Sequence, residues 1–241
     1  MTTMSLDSAD FAPYFRSREA RMDHDEELMR NVFQLRFQVY CMECGFLPPA
    51  DYPDRLETDE HDRNSAHFCA FNLTDGLVGV VRLVRPDAKR AFPFNSHCAT
   101  LFEGVDLPPP SASAEISRLM VRKDYRRRPG DTVAGVTVEP TVVDPNQKRR
   151  DNSPQVLLSM YRQLYAYSVE NDIRYWYVAM EEFLARALTK LNFAFRQIGP
   201  ATDYYGPVAP YLGDLRDFEA RLGERNPALL AWLLKPESVD P

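Results

Sequence analysis

Hydrophobic positions along the chain change period several times, and each change predicts an element. From Asp25 to Cys44 the apolar residues Leu28, Val32, Leu35, Val39 and Met42 recur at steps of three and four. That is the spacing of one face of a helix, broken near Gly45 or stopped by Pro48-Pro49. Two strand-like runs follow, 66–74 and 77–85, with Asp75-Gly76 between them as a hairpin turn. The span 86–110 reads as irregular with one short helix, and 114–121 as a third strand. Alternation in that strand turns Ile116, Arg118 and Met120 to one side and Glu115, Ser117, Leu119 and Val121 to the other. Further on, 155–171 is expected as a helix with Val156, Met160, Leu164, Tyr167 and Val169 inward, and 173–180 as an aromatic-rich strand. A short helix over 181–191, a strand over 193–198 ended by Gly199-Pro200, and one or two helices over 214–234 interrupted near Pro227 complete the pattern.

This order predicts an α/β fold: one domain with a mixed central sheet and helices on both faces. No repeat and no linker composition divides it. We expect a partly ordered N-terminal segment, 1–24, anchored by Phe11, Tyr14 and Phe15, then the domain proper over 25–212 and a helical tail over 213–241. The Gly-, Pro- and charge-rich stretch 129–154 reads as a long loop insert, with some hairpin character over 133–143.

Composition fits a globular chain, at 44% hydrophobic and 27% charged. No apolar run approaches the ~20 residues that span a bilayer, and Met1 to Asp10 lacks the cationic and apolar regions of a secretory signal. The expectation is a cytoplasmic protein without a transmembrane segment. Cys41 and Cys44 form a CxxC pair, but Cys69 and Cys98 stand apart, so a zinc site would have to borrow from His61, His67 or His97. Free thiols and no metal are expected.

Charge sharpens the picture. A net charge of −6 argues against a nucleic-acid partner. Yet Arg122, Lys123, Arg126, Arg127 and Arg128 are clustered directly after the third strand, with Lys148 to Arg150 beyond, whereas Asp51, Asp54, Glu57, Asp59, Glu60 and Asp62 crowd one loop. The separation suggests one surface for an acidic partner and one pocket for a cationic group. Glu115 and Arg118 interrupt an apolar strand, and Arg36 and Arg82 interrupt apolar stretches of their own. Buried charge needs a partner. Periodicity leaves two readings open: a functional pair of charges, or a half-exposed Arg118 with Glu115 merely ending a loop. The acidic loop likewise reads as a solvated surface or as a carboxylate cluster holding an ammonium or an arginine, Arg36 and Arg82 being its candidate partners. The basic turn from Arg122 to Gly130 reads as bare surface or as a phosphate-binding turn.

Taken as a set, these residues resemble the acyl-homoserine-lactone (autoinducer) synthases of the GNAT superfamily. The resemblance runs from Leu35-Arg36 and Val39-Tyr40 through Glu57, Asp59 and Asp62, then Gly79 with Arg82-Leu83, to Glu115-Ile116-Ser117-Arg118. Val39 to Glu43, Phe92-Pro93 ahead of Cys98, and Ile198-Gly199-Pro200 through Tyr204-Tyr205-Gly206 to Pro210-Tyr211 look more like the acyltransferases associated with PEP-CTERM/exosortase systems, which also resemble N-acyl amino acid synthases. The similarity covers about residues 25–212.

The resemblance implies a GNAT-like fold and transfer of a fatty acyl group from a phosphopantetheine thioester to the amine of a small, amino acid-like acceptor. Glu115, through a water, would be the general base. Arg36, Asp59, Asp62, Arg82 and Arg118 would form a charged network positioning the acceptor. Leu119, Met120 and Val121, with Arg122, Lys123, Arg126, Arg127 and Arg128, would receive the donor in the gap between strands 114–121 and 173–180. The coenzyme A-binding turn of the wider superfamily begins at Arg127-Arg128-Pro129-Gly130 but runs into the insert instead of a helix. That departure favours acyl-acyl-carrier protein over acyl-coenzyme A as donor, and makes the carrier protein the expected partner. The alternatives are a homoserine-lactone synthase using S-adenosylmethionine, a non-catalytic acyl- or lipid-binding regulator, and an interaction protein presenting the apolar C-terminal helix.

Overall fold

The computed structural model describes residues 16–22, 24–72, 74–86, 92–125 and 153–235. Much of the expected N-terminal segment, the 129–154 insert up to Asn152, the possible hairpin over 133–143, Arg126 to Arg128 and Lys148 to Arg150 lie outside these residues.

Helix α1 (Glu26–Phe37) runs into a π-helical turn, Gln38–Glu43, where Cys44 N–H donates to Val39 O five residues back. Gly45 then takes a left-handed φ of 64° that ends the helix. The predicted hairpin forms as β2 (Ser65–Phe71) and β3 (Leu77–Val84), with Asp75 at φ 58° and the Asn72 side chain accepting from Thr74 and Gly76 N–H. A short helix α2 (Phe94–His97) precedes β4 (Ser113–Val121). Then come α3 (Ser153–Glu170), β5 (Tyr175–Glu181), α4 (Glu182–Lys190) and two-residue strands β6 (Arg196–Gln197) and β7 (Thr202–Asp203). Strand β8 (Pro207–Asp214) and helices α5 (Leu215–Arg225) and α6 (Pro227–Leu234) finish the chain.

One sheet runs β1-β2-β3-β4-β5-β8-β6, where β1 is Arg16–Ala20 and β7 pairs with β8. Every pair is antiparallel except β4–β5. The β4–β5 ladder ends at Ile116–Val178, although β4 continues to Val121 and β5 to Glu181. The two strands therefore part in the middle of the sheet.

Helices α3 to α6 bury one face of the sheet around Phe68, Ile116, Trp176 and Phe218. Gly79 lets α3 approach, since a Cβ there would meet Val156 Cγ1 at 3.0 Å. On the other face, α1 covers Cys69, Val80 and Met120, while Phe92, Phe94, Cys98 and Ile198 cover Tyr177 and Leu212. Between these two clusters β4 carries its charged residues. The apolar C-terminal stripe packs on its own core through Leu229 and Leu233, with Leu234 exposed. No helix among the described residues is long and apolar enough to cross a membrane.

Three expectations need correction. Strands β1 and β8 were not foreseen: β1 lies in the polar N-terminal stretch, and Pro207, Pro210 and Gly213 hide a strand that nevertheless lies between β5 and β6. The strand expected over 193–198 shrinks to Arg196–Gln197. Val169 is 57% exposed rather than inward; Tyr161, Tyr165 and Ser168 take buried places on α3.

Candidate active site

Alternation fails in β4, and the failure builds the site. The register pairs Arg82 with Ser117 and Val80 with Met120, so Val81 alone faces both Arg118 and Leu119. This is a β-bulge. Arg118 adopts φ 51° there, a left-handed value in a non-glycine residue. Glu115, Ser117 and Met120 share the α1 face, and the bulge swings Arg118 onto it as well, while Leu119 and Val121 pack on the opposite core. Arg118 therefore does not face away from Glu115, as strict alternation predicts.

His67, Arg82 and Ser117 align in cross-strand register over β2, β3 and β4. Above them α1 places Arg36, and the loop after it lays down Glu57, Asp59 and Asp62. That loop is tied to the helix by Glu57 N–H donating to Phe33 O at 3.1 Å. Arg36 donates to Glu57 Oε2 at 2.5 Å and to Asp62 Oδ1 at 2.6 Å. Arg82 donates to Asp59 Oδ1 at 2.6 Å, Asp62 Oδ1 at 2.8 Å and Ser117 Oγ at 3.0 Å. Arg118 donates to Glu57 Oε1 and Asp59 Oδ2, both at 3.0 Å. His67 Nε2 lies 3.3 Å from Asp62 Oδ1.

Three guanidiniums thus face three carboxylates in a closed, charge-balanced network. Burial opposes ionisation of Glu57, Asp59 and Asp62, but His67 and the arginines hold Asp62 well below the usual carboxylate range. Arg36 and Arg118 do the same for Glu57, and Arg82 and Arg118 for Asp59. Burial keeps His67 below its ordinary value, so a neutral ring donating through Nε2 fits the network best. Arg36, Arg82, Glu57 and Asp62 are at most 2% exposed, whereas the side chains of Arg118 and Asp59 are 18% and 23% exposed. Of the six, only Arg118 and Asp59 reach solvent appreciably.

Glu115 stands outside this network. It is 3% exposed, and its Oε2 accepts from Phe94 N–H at 2.9 Å. Burial pushes its carboxyl up to about 8, against the pull of the Phe94 N–H, Arg82 and Arg118. It lies one residue before the point where β4 and β5 part.

A row of aromatic rings continues outward from Arg118. The Arg118 guanidinium lies 5.3 Å from the Tyr40 ring. Tyr40 leans on Phe46, Phe46 stacks on Tyr205 at 5.5 Å, Tyr205 neighbours Tyr204, and His97 stacks on Tyr204 at 3.7 Å. A tight turn with Tyr205 at φ 56° and Gly206 at φ 119° presents the two tyrosines.

The structure thus brings together Arg36, Asp59, Asp62, Arg82, Arg118 and Glu115. Sequence reasoning placed Glu57 among the acids but not in the network, and it missed His67, Ser117 and the aromatic row. The available signal for His67 was its place inside the apolar run of β2, a strand buried on both faces. Of the expected donor residues, Met120 and Val121 have fully buried side chains, and Arg122 is already bound to Asp124 through both carboxylate oxygens. Lys123 is exposed. Among the described residues no group of three or more His, Cys, Asp or Glu side chains is arranged to hold a metal ion, and all four cysteines are free.

Comparison with known proteins agrees with this geometry. Residues 35–135 match the family model described as "Acetyltransferase (GNAT) domain". No curated protein matches the chain. Among solved structures, the CoA-dependent acyl-homoserine lactone synthase BjaI, solved with SAM and isopentyl-CoA, superposes at a TM-score of 0.61, with 15% identity over 87% of this chain and 89% of that one. The AHL synthase LasI gives 0.57, with 17% identity over 82% and 88%. FeeM, an N-acyl amino acid synthase from uncultured soil microbes, gives 0.50, with 14% identity over 88% and 97%. At such identities the likeness is one of fold. Residues 35–135 thus match a GNAT acetyltransferase domain model, and the chain has the fold that these synthases share.

Proposed function

We propose that the protein is an N-acyltransferase that moves a fatty acyl group from a phosphopantetheine thioester to the amine of a small, amino acid-like acceptor. The observation that carries this reading is Glu115, a buried carboxyl with a raised pKa at the parting of β4 and β5. A base tuned near the working pH combines a useful ionised fraction with proton affinity. Its carboxylate takes a proton from the acceptor nitrogen, directly or through one water, as that nitrogen attacks the thioester carbonyl. The tetrahedral adduct collapses, the C–S bond breaks, and the proton passes to the departing thiolate. The products are an amide and a free thiol.

The gap between the strands suits the pantetheine arm. Arg122 N–H donates to Val78 O on β3, so strand alternation turns Val121 N–H to the opposite edge, the one β5 has left. That N–H, with Leu119 beside it, is our candidate donor to the thioester oxyanion. Arg118 and Asp59 are placed to touch the acceptor. Arg36, Arg82, Glu57, Asp62 and His67 are positioning residues, too buried to reach it.

For the donor we favour acyl-acyl-carrier protein, because the expected coenzyme A turn gives way to the insert and Lys123 with Arg126 to Arg128 suits an acidic carrier. We also place the protein beside the acyltransferases of PEP-CTERM/exosortase systems on the residues quoted above. The test is to incubate it with long-chain acyl-carrier protein or acyl-coenzyme A and a pool of amines, and to follow thiol release and N-acyl products by mass spectrometry. An N-acyl product with a carrier preference that falls when Arg126 to Arg128 are reversed supports the reading. Lactone formed from S-adenosylmethionine makes the protein a homoserine-lactone synthase instead. Absence of any acyl product overturns the proposal.

A further inference from the structure

Glu115 has an unusual neighbour. In the parallel register of β4 and β5 its cross-strand partner is Tyr177, on the same face. The Tyr177 ring stacks on Phe94 with centroids 4.7 Å apart and planes at 27°, and Phe92 leans on both, 5.1 Å from Tyr177 and 6.2 Å from Phe94. All three rings are buried. Phe94 opens α2, a helix of one turn that has little stability of its own. Its place over the sheet is set by these ring contacts, with Cys98 and Ile198. The backbone N–H of Phe94 is the group that donates to Glu115 Oε2.

We infer that Phe94 and Tyr177 are positioning residues for the base: their stack holds the Phe94 N–H against Glu115 Oε2 and so keeps Oε1 turned toward the acceptor. This rests on Glu115 being the base. The clamp does two things at once. It fixes the carboxyl in one rotamer beside the gap where the donor enters, which is the precision that proton transfer needs. It also donates a hydrogen bond that favours the carboxylate, partly offsetting the burial that favours the acid. Among the described residues no other hydrogen bond to the Glu115 carboxyl is present.

The arrangement makes a prediction that a merely structural role for the rings does not. Tyr177→Leu keeps an apolar side chain but removes the stack, so α2 loosens and the N–H bond is lost. Tyr177→Phe keeps the ring and removes only the phenol hydroxyl. The readout is the titration of the Glu115 carboxyl by carbon-13 NMR in protein labelled at glutamate Cδ, its resonance assigned by its loss in Glu115→Gln. In Tyr177→Leu the lost N–H bond raises the midpoint and water admitted under a loosened α2 lowers it, so the midpoint departs from the wild-type value, whereas in Tyr177→Phe it stays there. Phe94→Leu, which keeps the N–H but weakens the stack, moves it in the same direction as Tyr177→Leu and replaces that variant should it fail to fold. An unmoved midpoint in a folded Tyr177→Leu or Phe94→Leu overturns the clamp, as does an equal shift in Tyr177→Phe. Turnover that survives in Glu115→Gln overturns the base reading on its own and leaves the titration result standing.

Discussion

Arg36 and Arg118 share the Glu57 carboxylate: Arg36 donates to Oε2, while Arg118 donates to Oε1 at 3.0 Å and reaches both oxygens through Nε at 3.3 Å. The three residues come from a helix, a strand bulge and the loop between them in space, so one carboxylate ties three elements of the fold together. Removing it leaves the network one negative charge short, around a fully buried Arg36 guanidinium that keeps only Asp62 within hydrogen-bonding distance. Glu57→Ala is expected to cost ~3–5 kcal/mol of folding stability, the usual penalty for stranding a buried charge. Asp59→Ala, at a partly exposed site, is expected to cost about 1–2 kcal/mol. Urea unfolding of both variants checks the order.

The network also fixes how the fold responds to acid. Glu57, Asp59 and Asp62 all have folded pKa values held below their unfolded ones. Their contribution is complete above the unfolded carboxylate range, about pH 4–5, and is lost as pH falls toward the lower folded values. Unfolding free energy measured from pH 7 to pH 3 is therefore expected to drop steeply only below about pH 4.

Glu115 has the opposite sign. Its folded pKa is raised to about 8 from 4.5, so between those values the folded state keeps a proton that the unfolded state releases. Stability from this group falls as pH rises through that window and levels off above it. Glu115→Gln removes the slope. Its melting temperature is expected to gain on the wild type between pH 5 and pH 8 and then hold a constant offset, and equal offsets at pH 5 and pH 8 would rule this out.

The bulge makes a backbone prediction. Arg118 sits at φ 51°, where an L-residue carries a cost of ~1–2 kcal/mol that glycine does not. In an ordinary strand glycine is worse than alanine. Here Arg118→Gly is expected to be more stable than Arg118→Ala by about 1 kcal/mol, both lacking the guanidinium. Denaturation midpoints of the pair decide it.

That same bulge marks the limit of what the chain reveals by itself. Helix α1, the β2–β3 hairpin, α3, α4 and the two C-terminal helices follow from periodicity and punctuation, because local packing obeys the pattern there. Strand β8 does not: its prolines and glycine read as loop, and only pairing on both sides makes it a strand. The charges at Arg36, Asp59, Asp62, Arg82 and Glu115 were legible as charged residues out of place in apolar or crowded surroundings. The direction of Arg118 was not, since one extra residue between Ser117 and Met120 reverses the alternation and leaves no composition signal. Nor was the Tyr40–Phe46–Tyr205–Tyr204–His97 row, whose members come together from the π-helical turn after α1 and the residues just beyond it, from α2 and from the Tyr205 turn.

The central claim is that Glu115 accepts the amine proton during acyl transfer. The most direct measurement is the pH dependence of N-acyl product formation in wild type and Glu115→Gln, with the acyl-carrier donor and the acceptor found by mass spectrometry. The wild-type rate is expected to climb with pH up to a limb near 8, and the Glu115→Gln rate to be lower by roughly 10²–10⁴-fold with that limb gone. A Glu115→Gln enzyme that transfers at the wild-type rate, or that keeps the same limb, contradicts the claim.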